Sequence, residues 1–219
     1  MSIIFNNIDK MSFDDISEES DFIPLMTNED EVALEKESLP DVLPILPLTN
    51  TVLFPGVVIP INAGRDKSIK LIKDANKSSK LIGVVAQRNI NDENPGIENI
   101  HGVGTVAKIL RVLKMPDGNT TVIIQGKKRF KIKSIVKSDP YIQATVDPVS
   151  DEALKKSNSK FSATIDAIKD IALKIIKENP NIPSEASFAI KNIHSSAFLI
   201  NFVSSNMNIT VKDKQDLLE

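Results

Sequence analysis

Gly126-Lys127 is one of the few residue pairs in this 219-residue chain whose types suggest chemistry. A glycine followed by a lysine is how a phosphate loop closes around a nucleotide. Here the spacing fails. The position five before Gly126 is Thr121 rather than glycine, and Lys128 stands where serine or threonine should follow. The two histidines, His101 and His194, are isolated, with no second ligand at metal spacing, and read as surface or packing residues. There is no cysteine, which removes thiol nucleophiles, thiolate metal sites and disulfides. Serines stand beside lysines at Ser79-Lys80 and Ser159-Lys160, but adjacency in sequence does not make a dyad. No G-x-S-x-G elbow is present. The expectation for residues 1–219 is no catalytic residue, no metal ligand and no cofactor-binding residue.

Lys127–Lys137 (KKRFKIKSIVK) sets six cations around Phe130, Ile132, Ile135 and Val136. A basic strand with an aromatic can bind single-stranded nucleic acid. The chain has one tyrosine and no tryptophan for base stacking, however. Lysines on the solvated face of a strand also serve to discourage edge pairing. A solvated face is the favoured reading, with nucleic acid or another polyanion as the alternative.

The elements that would position these residues are mostly short strands. Leu43–Leu48 and Val57–Ile61 are apolar runs joined across Phe54-Pro55-Gly56 and interrupted by Pro44, Pro47, Pro55 and Pro60. Proline has no ladder N–H, so neither run can be a central strand along its whole length; an edge or a barrel seam fits. Asp66–Asn76 reads as a short amphipathic helix and Leu81–Ala86 as a fully buried strand. Asn89–Ile100 is turn chemistry around Pro95-Gly96. Val103–Leu113 is a strand, and Met115-Pro116-Asp117-Gly118 is a type I turn that returns it as Thr120–Gln125. Arg129–Ser134 and Tyr141–Val146 read as two further half-buried strands. The remainder is helical. Phe161, Ile165, Ile168, Ala172 and Ile175 form an amphipathic stripe that must stop by Asn179-Pro180. A helical stretch opens at Pro183-Ser184-Glu185, breaks near His194-Ser195-Ser196 and ends at Asn206–Asn208. Thr210 with Asp213 resembles a capping box. The two turns left before Glu219 are too short to be stable alone, so KQDLLE is expected to begin a longer helix of a larger protein.

The wording of several segments adds a resemblance. LPILPL…VLFPGVVIPI…GR at Leu43–Arg65 is similar to the opening of the amino-terminal domain of Lon, the ATP-dependent protease. LIGVVAQR, VGTVAKILRVLK, MPDG, VIIQGKKR and KQDLLE follow in the family's order. The resemblance covers roughly residues 42–219. It implies an α+β fold with a β-rich, PUA-like pseudo-barrel followed by an α-helical subdomain. It further implies a recognition and assembly domain whose parent is a homohexamer that uses ATP and Mg²⁺. That parent would degrade misfolded, damaged and short-lived regulatory proteins with a Ser-Lys dyad lying outside this chain. The alternatives are a free-standing protein of the same domain type and a PUA-like RNA-binding module.

A protease that selects damaged proteins needs a sensor of exposed apolar segments, because native proteins bury theirs. Leu53–Val57 and Lys114–Pro116 place large apolar side chains beside proline turns. These side chains read either as core or as a client-binding patch. The patch reading names Phe54, Val57, Met115 and Pro116 as substrate contacts, and unfolded or tagged proteins as partners.

Composition sets the organisation. Net charge is −2, but residues 1–40 hold 11 of the 29 acidic residues and only 2 of the 27 cations. That region carries −9 and the remainder +7. Like charges at that density oppose compaction, so residues 1–40 are expected to be a disordered leader. Phe22–Met26 within it is an apolar element able to dock on a partner. Residues 41–151 are expected to be the β-rich domain and 152–219 the helical subdomain. No apolar run approaches the roughly 18 residues that span a bilayer. The acidic start lacks the basic and apolar regions of a secretory signal. The cytoplasm is the expected location.

Overall fold

The structure is a computed structural model that describes residues 39–115, 120–149, 159–180, 182 and 185–219. Among the described residues, six strands and five α-helices make an α+β fold. The strands are β1 (Val42–Leu48), β2 (Val58–Ala63), β3 (Leu81–Ala86), β4 (Val103–Lys114), β5 (Thr120–Lys137) and β6 (Gln143–Pro148). The helices are α1 (Asp66–Lys77), α2 (Ser159–Glu178), α3 (Glu185–Asn192), α4 (Ser196–Asn206) and α5 (Val211–Leu218). A 3₁₀ turn at Ile97–Asn99 lies within the 89–100 loop.

Sheet order is β2-β5-β4-β3-β1-β6, and β6 also pairs with β5. The pairings β5-β4-β3-β1-β6 therefore close into a ring, and β2 hangs on the first half of β5. The prolines sit where their missing donors require. Val42–Pro44 of β1 pair antiparallel with β6, while Ile45–Leu48 pair parallel with β3. Each half of β1 thus has its named strand partner on one side only. β2, with Pro60, pairs with β5 alone.

Thr120–Gln125 and Arg129–Ser134, expected as separate strands, are one 18-residue strand, β5. Gly126 is not a turn. Its backbone exchanges hydrogen bonds with the 54–57 loop, Gly56 N to Gly126 O at 2.9 Å and Gly126 N to Val57 O at 2.9 Å. A Cβ at Gly126 would collide with the Phe54 carbonyl oxygen. The pairing of β4 with β5 shifts register twice, through an extra residue in β5 between Gly126 and Arg129 and an extra residue in β4 between Ile109 and Arg111. The expected Met115–Gly118 turn falls largely on residues 116–119, outside the described residues. The hairpin itself is present, with Lys114 opposite Thr120.

Two apolar clusters fill the fold. One lies inside the ring, where Phe130, Ile45, Val85 and Val106 meet. The other lies between the sheet and the helices. There Leu53, Phe54, Ile59, Ile72, Val122 and Ile124 share a core with Ile190, Phe198, Phe202 and Leu218.

The helical stop signals hold locally. Ser195 Oγ accepts from Phe198 N at 3.0 Å to open α4. Thr210 and Asp213 form the full capping box of α5. Lys169 Nζ donates to the Lys191 and Ile193 carbonyls at 3.1 and 3.2 Å, closing α3. α2 departs from its expected stripe. Ile165, Ala172, Leu173 and Ile176 face the core, and Ile175 is 53% exposed. No helix among the described residues is long and apolar enough to cross a membrane.

Candidate functional site

Strands alternate their faces, and burial shows which face is which. Ile59, Val122, Ile124 and Ile109 point into the helix-covered core. Their neighbours Val58 and Pro60 on β2, Ile123 on β5 and Leu110 on β4 therefore share the outer face. Register places Pro60 and Arg111 on either side of Ile123. Leu110 is 44% exposed, and Val58, Pro60, Ile123 and Leu113 are half-buried. Met115, just past the end of β4, is 36% exposed. Lys108 and Arg111 are exposed on this same face. An apolar, partly open sheet face with these cations on it can hold an extended apolar segment without demanding one sequence.

The four expected substrate contacts separate. Met115 lies at the end of this face, and Pro116 falls outside the described residues. Phe54 and Val57 are corrected to core residues, at 1% and 3% exposure. The Pro55-Gly56 turn, with Gly56 at φ 78°, folds inward because β5 takes its backbone hydrogen bonds. Thr105 Oγ1 further donates to the Leu53 carbonyl at 2.6 Å in the interior. Leu110, Ile123, Val58 and Pro60 were not anticipated. Their signal was Ile109-Leu110, two adjacent aliphatic residues that cannot share one face of a regular strand.

The basic stretch is not a uniform cationic face. Phe130 is fully buried, so its ring is unavailable for stacking on a base. Arg129 Nη1 donates to the Leu218 carbonyl at 2.7 Å, and Lys133 Nζ lies 3.5 Å from Asp147 Oδ1.

Arg129 belongs to an anchor that joins the end of the chain to the ring. Gln215, fully buried, donates from Nε2 to the Val103 carbonyl at 3.0 Å. Lys214 is buried, donates to the Ser205 carbonyl at 2.6 Å, and has its pKa lowered by that burial. His101 Nδ1 lies 3.8 Å from Glu219 Oε1. Burial first, then the Arg88 charge, pulls the His101 pKa down, while Glu219 and Asp216 pull it up; the net shift is downward.

For ATP and Mg²⁺ the described residues do not fit. Gly126-Lys127 lies in a paired strand packed on Phe54, with no free turn to wrap phosphate. Among the described residues no three His, Asp or Glu side chains come together as a metal site.

The geometry can be set beside known proteins. Residues 42–219 match the family model of the ATP-dependent protease La (LON) substrate-binding domain. The chain is 62% identical over 211 residues to a Lon protease of Flavobacterium johnsoniae, covering 96% of this chain and 26% of that protein. It is 52% identical over 203 residues to a Lon protease of Cytophaga hutchinsonii, covering 93% of this chain and 25% of that protein. The chain thus spans about a quarter of the length of these curated relatives. The amino-terminal domain of a Mycobacterium avium complex Lon protease shares the fold. Its TM-score is 0.65 at 20% identity, with 81% of this chain and 90% of that one covered.

Proposed function

The chain belongs to the family of Lon substrate-binding domains, and on that premise we propose that it captures unfolded or tagged protein segments for a larger ATP-dependent protease. The observation that supports a binding role is the open apolar face of β2, β5 and β4, ending at Met115. Clients contact Met115, Leu110 and Ile123, with Pro116 as a further contact. The polarizable, unbranched Met115 adapts to clients of different shape.

Residues 1–219 recognise and do not cleave. The parent protein supplies the serine nucleophile, the lysine base and the sites for ATP and Mg²⁺ outside these residues. It assembles as a homohexamer in the cytoplasm. Within the chain, residues 41–151 form the recognition part, 152–219 the helical part and 1–40 an acidic leader.

The test is binding of a permanently unfolded protein to the whole chain across a salt series. Apolar capture keeps its affinity between about 50 and 200 mM salt. Phosphate contacts by several cations would lose at least an order of magnitude over that range, which would favour the RNA-binding reading instead. Leu110→Asp with Met115→Asp is expected to weaken capture about tenfold, and unchanged capture would remove the face from the site.

A further inference from the structure

A slot between two open strand edges lies beside β2. The end of β1 pairs with β3 on one side only, and β2 pairs with β5 alone. Both strands line one cleft of about 260 Å³, bounded by residues 46–51 and 60–65.

Hydrogen bonds at the strand ends fix which backbone groups face the slot. Gly126 N donates to the Val57 carbonyl at 2.9 Å. Bonded pairs alternate along an antiparallel ladder, so Ile59, Ile61 and Ala63 bond to β5 while Val58, Pro60 and Asn62 turn their backbone groups outward. On β1, Gln87 N donates to the Leu48 carbonyl at 2.7 Å. Leu46 and Leu48 therefore serve β3, and Pro47 faces the slot. Pro47 and Pro60 thus stand where a donor would point away from the partner strand, and neither ladder loses a bond. The outward groups of Val58, Pro60 and Asn62 have no hydrogen-bond partner among the described residues. An open edge is normally protected by charged side chains. β2 (VIPINA) has none, and Pro60 removes only one of its outward donors.

We propose that this slot holds an extended segment of an unfolded protein, added as a strand to β2, whose apolar residues alternate between carboxylate flanks. The inference rests on the client-binding role above and names how a client is held. Main-chain hydrogen bonds to Val58, Pro60 and Asn62 give affinity without demanding one sequence. Every second side chain of the added strand lies beside Val58 and Pro60, continuing the apolar outer face. Charge selects among segments. Among the described residues lining the cleft none is a carboxylate, and Arg65 alone is charged. Its guanidinium is held by Gln87 Oε1 at 2.8 Å and the Asp92 carbonyl at 3.3 Å, with no carboxylate paired to it among the described residues. β2 and β4 contain no Asp or Glu, and Lys108 and Arg111 are exposed across the same sheet. This field attracts glutamates at the ends of the segment and repels lysines.

The experiment is amide exchange of the full chain by NMR, free and saturated with a peptide of alternating valine and threonine flanked by glutamates. In the free chain Val58 and Asn62 exchange fast and Ile59 and Ile61 slowly. The peptide is expected to slow Val58 and Asn62 about tenfold or more and to leave Ile59 and Ile61 unchanged. Val58→Pro removes one outward donor, keeps the ladder to β5, and should weaken the peptide about fivefold. Lysine flanks in place of glutamates should weaken it about fivefold at low salt. Peptide binding without slowing at Val58 and Asn62 would overturn strand addition and leave client capture by the outer face standing. A chain that binds neither this peptide nor a permanently unfolded protein would overturn both. Equal affinity for the two kinds of flank would overturn the charge preference. Slowing at Val58 and Asn62 that appears in the free chain as its concentration rises would overturn the proposal in favour of a second copy as the added strand.

Discussion

Arg129, in the middle of β5, meets Leu218, in the last turn of α5, with Nη1 2.7 Å from the carbonyl oxygen. A guanidinium at a helix C-terminus satisfies a carbonyl that has no partner within the helix and faces the negative end of the helix dipole. Gln215 Nε2 on the Val103 carbonyl, at 3.0 Å, is the second tie. Helix α5 is therefore held by the ring of strands, and its orientation is set there rather than by its own eight residues.

Arg129→Leu is expected to cost about 1–2 kcal/mol, the range for a half-buried charged hydrogen bond. Amide exchange should rise over 211–218 and stay unchanged over β3. Exchange in α5 at the native rate would show that the contact does not hold the helix.

Gly126→Ala tests the inward turn. The new methyl would meet the Phe54 carbonyl, a backbone atom that cannot step aside cheaply. A loss of about 1–3 kcal/mol is expected from overpacking, read as a lower urea midpoint. A midpoint equal to that of the native chain would refute the close packing of β5 on the 54–57 loop.

Phe54→Ala and Met115→Asp separate core from client surface. Phe54 is 1% exposed, and its truncation should cost about 3–5 kcal/mol. Met115, at 36% exposure, should change stability by no more than about 0.5 kcal/mol while weakening client capture severalfold. A Met115→Asp chain that captures clients normally would take that residue out of the site.

His101 predicts an acid limb of stability. Burial and Arg88 lower its pKa in the folded chain, against the opposing pull of Glu219 and Asp216. The unfolded chain, with an ordinary imidazole near 6.5, then binds more protons in the range just below that value. The penalty is absent well above pH 6.5 and grows as pH falls through 6.5 toward the folded value. Urea midpoints measured from pH 8 to 5.5 should decline, and His101→Gln should flatten the decline. An equal decline in both chains would assign it to other groups.

What the amino-acid sequence determined by itself is local. Leu81–Ala86 is the buried strand its continuous apolar run predicts, and Asp66–Lys77 is the helix its apolar spacing predicts. Thr210 and Asp213 make their capping box because both partners lie within one turn. Prolines 44, 47 and 60 limited the pairing of their strands because a missing N–H acts wherever the residue sits. The ordered family segments were also legible, and they carried the recognition role.

Only the tertiary structure decided which side of each apolar segment meets solvent. Phe54 and Val57 beside a proline turn read by sequence as either core or patch, and β5 settles them as core by pulling that turn inward through Gly126, 70 residues away in the case of Gly56. Ile175 continued a helical stripe but faces out, because α2 packs through Ile165, Ala172 and Ile176 instead. The candidate face at Leu110 and Ile123 exists because a bulge in β4 between Ile109 and Arg111 shifts the alternation, and a bulge is set by the pairing of two strands rather than by either alone. Arg129 read as one cation among six, and its role at Leu218 depends on a contact 89 residues apart. Local rules follow from residues within a turn of each other. Burial and long-range hydrogen bonds depend on which distant backbone arrives alongside, and periodicity along the chain carries no record of that.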